Sequence, residues 1–128
     1  MTSEMSRVLG THIILDLYGC VSELMMHVED VQLLMREAAK RAHFTVVTEE
    51  YHQFAPCGVS GATIIQESHL TWHSWPEHGY ASLDIYYCGE NLFVDDGINY
   101  LIEMLKPQHV ERVHIPRGIP EKYLAYKS

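Results

Sequence analysis

The sequence predicts an α+β fold: a two-layer sandwich in which a mainly antiparallel sheet carries two helices packed on one face. Two observations predict it. The elements read strand, helix, strands, helix, strand. Strands that follow one another closely, with only two helices among them, favour such a layer over a doubly wound sheet.

Each element has its own signal. Gly10 to Tyr18 reads as a strand, with Ile13, Leu15 and Leu17 on an apolar face and Ile14 and Asp16 on a mixed one. Glu29 to Ala42 reads as a helix, because Val31, Met35, Ala38 and Ala42 recur at spacings of four, three and four. Asp30 is placed to cap it or to complement its positive end. Phe44 to Tyr51 is β-branched and aromatic, a second strand. Phe54 to Gly58 is a loop by its Pro and Gly. Ala62 to Gln66 is a third strand, and Leu70 to His73 continues or restarts it after Ser68. Trp75 to Gly79 is a turn. Tyr80 to Tyr87 is another strand, with Ala81, Leu83, Ile85 and Tyr87 on one face. A second helix runs from about Asp95 to Leu105, with Ile98, Leu101, Ile102 and Leu105 inward and Asp95 and Asp96 at its positive start. Val110 to Ile115 is the last strand, and the tail after Pro116 reads as irregular.

The 128 residues fit a single domain, 1–128, nearly half of it hydrophobic. The core is still small, and dimerisation improves burial for so short a chain. The net charge of -8 argues against nucleic acid as main partner, since phosphate binding needs clustered Lys and Arg. Nine histidines make the charge sensitive to pH near neutrality. Three cysteines, Cys20, Cys57 and Cys88, with no apolar signal core in MTSEMSRVLG, read as reduced thiols in the cytoplasm. No apolar run is long enough to cross a membrane.

Reactive side chains concentrate between Gly58 and Gly89: Glu67, Ser68, His69, His73, His78 and Cys88, with Trp72 and Trp75. His69 and His73 have the four-residue spacing of a zinc pair on a helix. Their segment reads as a strand, where that spacing means roughly 13 Å, too far to share an ion, so no metal is expected. Ser68 or Cys88 could pair with His73 as an activated nucleophile, although no G-x-S-x-G elbow is present. Against this, Cys88 could be an inert buried thiol, His73 a structural histidine, and the tryptophans ordinary core.

GVSG, ESH, H-S-W-P-E, GY and DIYYCG, in this order and spacing, resemble the short prokaryotic type of S-adenosylmethionine decarboxylase proenzyme. The resemblance extends to GTHIILDLYGC and to Tyr51-His52-Gln53-Phe54, and covers roughly Gly10 to Gly118. It implies a pyruvoyl-dependent enzyme that needs no added cofactor. Ser68 would attack the carbonyl carbon of Glu67, and elimination would leave a β chain, 1–67, and an α chain, 68–128, that begins with pyruvoyl. His73 matches the histidine that takes the proton in the elimination, and Ser60 a serine that assists. The pyruvoyl group would form a Schiff base with the substrate amine, and Cys88 matches the proton donor, a role that suits a neutral thiol. Phe54 matches an aromatic that stacks on adenine, and Glu77 a carboxylate that binds the ribose hydroxyls. The expected product is the aminopropyl donor for spermidine synthesis, and the expected assembly is a homodimer of processed protomers.

Trp72, Ser74, His78 and Tyr86-Tyr87 depart from the family pattern near the site and so bear on the substrate, Trp72 and Tyr86-Tyr87 through bulk that would shorten the pocket. The rival readings are the same chemistry on arginine or ornithine, and an unprocessed, non-enzymatic relative. Intact Ser68 and His73 argue against the second.

Overall fold

The computed structural model describes residues 8–126. Met1 to Arg7, most of the stretch read as lacking a signal core, and Lys127 and Ser128 lie outside the described residues. The strands are β1 (Gly10–Tyr18), β2 (Val46–Gln53), β3 (Val59–Ile65), β4 (Ser68–Trp75), β5 (Tyr80–Tyr87) and β6 (His109–Arg117). They form one sheet in the order β2-β3-β4-β5-β1-β6, with every neighbouring pair antiparallel. Helices α1 (Val28–Arg41) and α2 (Val94–Leu105) pack together on one face, and a single-turn helix, α3 (Pro120–Tyr123), follows β6. The expected α+β sandwich is the observed one.

The core lies between the sheet and α1 and α2. Ile13, Leu15 and Leu17 of β1 are fully buried, as are Val31 of α1 and Ile98 and Leu105 of α2. Each such side chain stabilises the fold by roughly 1.5–3 kcal/mol. Gly97 lets the helices approach: a Cβ there would lie 2.6 Å from the Ala38 carbonyl oxygen.

Several boundaries differ from the sequence reading. Val46, not Phe44, opens β2. Phe44 instead turns into the core, and its N–H donates to the Ala39 carbonyl at 2.9 Å as α1 ends. The N-cap of α1 is His27, so Asp30 sits in the first turn and complements the dipole without capping. β3 begins at Val59 and β4 at Ser68, leaving only Gln66 and Glu67 as the connection. The tail is not wholly irregular: β6 continues to Arg117, and Pro120 starts α3 at the position where a missing N–H costs nothing.

Strand alternation puts the other side chains on a face that no described helix covers. His12, Ile14, Asp16 and Tyr18 of β1 lie there with His69, Thr71, His73 and Trp75 of β4 and Tyr80, Asp84 and Tyr86 of β5. Aromatic rings stack along one end of it: Trp75 on Tyr80 at 5.2 Å, and Tyr80 on Tyr18 at 5.1 Å.

Candidate active site

The tight β3–β4 turn creates the first half of the site. Ile65 pairs with Ser68, and Ser68 pairs with Tyr87. That register brings the end of β5 beside the turn, where the backbone N–H of Cys88 donates to the Glu67 carbonyl oxygen at 3.0 Å. A donor on a carbonyl oxygen polarises the carbon toward attack and stabilises the oxyanion that attack creates. The Glu67 carboxylate accepts from the Thr45 N–H at 3.2 Å. Ser68 has φ 152, a region that residues other than glycine rarely occupy. Such a conformation costs on the order of 1–3 kcal/mol, and here it falls on the residue of the sequence-predicted cleavage step. His43, Glu67, Cys88, Glu90, Asn91, Leu92 and Phe93 line a cavity of about 460 Å³ at this turn. Cys88 is exposed, which overturns the alternative of an inert buried thiol. That description fits Cys20, whose thiol burial pushes up to about 11.

The second half lies at the other end of β4. Ser60 and His73 are cross-strand partners, and Ser60 Oγ lies 2.9 Å from His73 Nδ1. Phe54, Cys57, Ser60, Trp75 and Glu77 help to line a cavity of about 480 Å³ beside them. Phe54 is 47 % exposed, so core packing does not account for it. Gln53 organises this loop: its amide nitrogen donates to the carbonyls of Met26, Phe54 and Gly58, and its oxygen accepts from the Val28 N–H at 2.8 Å. Sequence reasoning named Gln53 only as part of a motif. It also missed Trp75 as a cavity wall, although an aromatic between Ser60 and Glu77 was visible in H-S-W-P-E.

One chain does not bring these halves together. Ser68 and His73 are five residues apart on one strand, roughly 17 Å, and odd spacing turns their side chains to opposite faces. Ser68, Glu67 and Cys88 therefore form one cluster, while Ser60, His73, Phe54 and Glu77 form another.

His69 joins neither. Its Nε2 lies 4.0 Å from Asp84 Oδ2, which also receives His12 Nε2 at 2.7 Å. Three such groups resemble a metal triad. However, Arg117 Nη1 donates to His12 Nδ1 at 3.0 Å. That contact puts the imidazole proton on Nε2 and directs it at Asp84, so Nε2 has no lone pair for an ion. The arrangement is a hydrogen-bonded charge network. Burial pushes the Asp84 carboxyl up, but the hydrogen bonds from Thr71 and His12 and the nearby His12 and His69 rings outweigh it and hold the group below its ordinary value.

The departures from the family pattern fall in distinct places. Trp72 is fully buried on the helix side of the sheet, so it does not narrow either cavity. Tyr87 also faces the helices, against Phe44, and Tyr86 lies beside His12 and His69 on the open face. Ser74 is buried: it accepts from the Val59 N–H at 3.1 Å and donates to the Met25 carbonyl at 2.8 Å.

Comparison with known proteins identifies the fold and the family. The fold is similar to the crystal structure of the adenosylmethionine decarboxylase of Aquifex aeolicus VF5, with a TM-score of 0.83 and 37 % identity over 88 % of this chain and 93 % of that one. The class of protein is thereby defined: a decarboxylase built on a two-layer α+β sandwich. Residues 11–118 match the family described as S-adenosylmethionine decarboxylase, to which the chain belongs. Relatives bearing the name S-adenosylmethionine decarboxylase proenzyme include that of Caldicellulosiruptor saccharolyticus, 44 % identical over 89 % of this chain and 92 % of its own length. That of Sulfurihydrogenibium sp. strain YO3AOP1 is 41 % identical over 90 % and 86 %. Among the described residues, no helix is long and apolar enough to cross a membrane.

Proposed function

We propose that this protein is a proenzyme that cuts its own chain between Glu67 and Ser68 and then decarboxylates S-adenosylmethionine. The product is the aminopropyl donor for spermidine synthesis. The single observation that carries the processing step is the Cys88 N–H on the Glu67 carbonyl, next to the strained Ser68.

The residues present fit this chemistry. Ser68 Oγ adds to the Glu67 carbonyl carbon, and the oxyanion develops against the Cys88 N–H. The C–N bond then breaks, and the acyl group passes from nitrogen to oxygen as an ester. A base removes the Cα proton of residue 68, the ester C–O bond breaks, and Glu67 leaves as a carboxylate. The dehydroalanine left behind hydrolyses to pyruvoyl with release of ammonia. Relief of the Ser68 backbone strain favours the forward direction. His73, bonded to Ser60, is the base, and Ser60 orients it.

The roughly 17 Å between Ser68 and His73 in one chain supports taking this base from a second copy. A two-fold pairing that brings one chain's β3–β4 turn, with Ser68 and Cys88, against its partner's Ser60, His73, Phe54 and Glu77 would repeat the arrangement at the other end. We therefore assign the active unit as a homodimer with two composite sites.

The pyruvoyl group, once formed at residue 68, supplies an electrophilic carbonyl that accepts electrons as carbon dioxide leaves. Cys88, one residue beyond the strand partner of Ser68, holds the proton that the product carbon takes up. Phe54 stacks on the adenine and Glu77 accepts from the ribose hydroxyls. Their shared cavity favours a nucleoside substrate over arginine or ornithine, and the burial of Trp72 removes one obstacle to it. Mass spectrometry of the purified protein, followed by release of labelled carbon dioxide from S-adenosylmethionine, arginine and ornithine, tests both steps. A chain that stays whole contradicts processing. Two fragments with release from arginine or ornithine alone contradict the substrate.

A further inference from the structure

We propose that His43 holds the carboxylate that cleavage creates at Glu67, and so fixes the new chain end beside the reacting residue. The inference rests on the self-cleavage proposed above. Among the described residues, His43 is the only side chain lining the cleavage-site cavity that can carry a positive charge, and Glu67 and Glu90 are there already. Cutting the chain adds a further negative charge, the α-carboxylate of Glu67, at the carbonyl now held by the Cys88 N–H.

The backbone around His43 is tied to both sides of this cavity. The carbonyl of Ala42 accepts from the Asn91 side chain at 2.9 Å, and the N–H of Thr45 donates to the Glu67 side chain at 3.2 Å. His43 therefore lies between the segment that holds Glu67 and the loop that follows Cys88. Its ring lies flat on Phe93, with centroids 3.8 Å apart and planes 10° from parallel. Its φ is 61, at the helix end where glycine or asparagine ordinarily sits. A histidine at that position carries a backbone cost that asparagine would lessen, and neither ring nitrogen has a hydrogen-bond partner among the described residues. Arg41, which lines the adjoining cavity, is already engaged: it pairs with Glu37 at 2.9 Å and lies over the Tyr100 ring at 4.4 Å. Asp96 and Glu103 face His43 from α2 across the adjoining cavity. They add a background that is the same before and after cleavage.

The sign follows from the charge. The cut gives His43 a carboxylate partner, so its protonated form is favoured in the processed protein relative to the uncut one. The contact is present at low pH and is lost as pH rises through the histidine midpoint. His43 is exposed, so the effect is modest.

NMR titration of the histidine rings tests this, comparing processed wild type with the uncut Ser68→Ala protein. His43→Asn identifies the resonance, and asparagine tolerates the same backbone conformation. The His43 midpoint is expected to be roughly half to one pH unit higher in the processed protein. Processed His43→Asn is expected to lose about two- to fivefold in kcat at pH 6 and to match wild type at pH 8.5. Cleaved protein whose His43 midpoint is unchanged or lower overturns this assignment alone. Wild type that keeps its full-length mass overturns it together with the processing reading.

Discussion

The N–H of Cys88 donates to the carbonyl oxygen of Glu67 at 3.0 Å, although 21 residues separate them in the chain. This bond ties the end of β5 to the β3–β4 turn, and it gives Cys88 two separable parts. The backbone N–H meets the carbonyl of the proposed scissile bond, and Cys88 also lines the cavity.

Substitutions at this pair should separate the two parts. Ser68→Ala removes the attacking oxygen and is expected to leave one full-length band with no activity. Cys88→Ala keeps the N–H and is expected to cleave yet turn over poorly or misprotonate its product. Cys88→Pro removes the N–H, and loss of such a donor should slow cleavage by about 100- to 1000-fold. Gel analysis over time, with circular dichroism to confirm folding, reads all three. Two fragments from Ser68→Ala would sink the assignment.

The separation of Ser68 from His73 gives a complementation test. Homodimers of Ser68→Ala or of His73→Ala each lack one half of every site. In a mixed dimer, one site has an intact Ser68 facing an intact His73. Equal co-expression with differently sized tags should cleave about half of the His73→Ala chains and none of the Ser68→Ala chains. If the His73→Ala chains stay whole, or cut as fast when expressed alone as in the mixture, the two-chain site is wrong.

The fold and the chemistry were legible in the sequence to different degrees. Alternation in β1 and helical spacing in α1 identified the core because both depend on local periodicity. Phe44 was misplaced in a strand because its aromatic character says nothing of whether it ends a helix or opens a strand. The site residues were nameable, since Glu67-Ser68, His73 and Cys88 sit in specific motifs. Their division between two ends of a sheet was not visible, because closeness along the chain does not fix which face or which end a residue occupies. The Cys88–Glu67 bond was likewise hidden, since it depends on strand register. Trp72 shows the opposite error: bulk near the motif suggested a narrowed pocket, but strand alternation turns the ring into the core.

Trp72 therefore makes a stability prediction. It is fully buried, and its indole N–H has no hydrogen-bond partner among the described residues. Trp72→Ala should cost about 3–5 kcal/mol through the cavity it leaves. Trp72→Phe should cost less than about 1.5 kcal/mol, because it also removes an unpaired buried donor. Urea unfolding of the Ser68→Ala background measures both without interference from cleavage. A large loss for the Phe variant would show that the indole nitrogen has a role.

Asp84 makes a prediction about pH. Its folded value lies below the ordinary one, so its stabilising effect is present above the ordinary aspartate range and is lost as pH falls through the lowered value. Asp84→Asn should lower the urea midpoint at pH 7, and the gap to wild type should narrow as pH approaches 3. A gap that stays constant with pH would show that the charge of Asp84 contributes nothing and that only its shape matters.

The residues proposed to select the substrate lie at the opposite end of β4 from the proposed cleavage step. Phe54 and Glu77 line one cavity, and neither touches Glu67, Ser68 or Cys88 in the same chain. Stacking removes apolar ring surface from water, and a carboxylate on a diol makes charge-assisted hydrogen bonds worth roughly 1.5–3 kcal/mol. Phe54→Ala and Glu77→Gln should therefore each weaken use of S-adenosylmethionine by about ten- to a hundredfold. Self-cleavage should stay near the wild-type rate, since the proposed step uses Ser68, the Cys88 N–H and the partner's Ser60 and His73 but neither of these residues. Because the proposed site draws its two halves from different chains, a mixed dimer sharpens the test. A Ser68→Ala chain that also carries Phe54→Ala still presents its His73, so its partner should cleave normally and then decarboxylate poorly. Full activity in that dimer would show that the adenine is held by the same chain that carries the reacting residue, and the composite binding site would have to be abandoned.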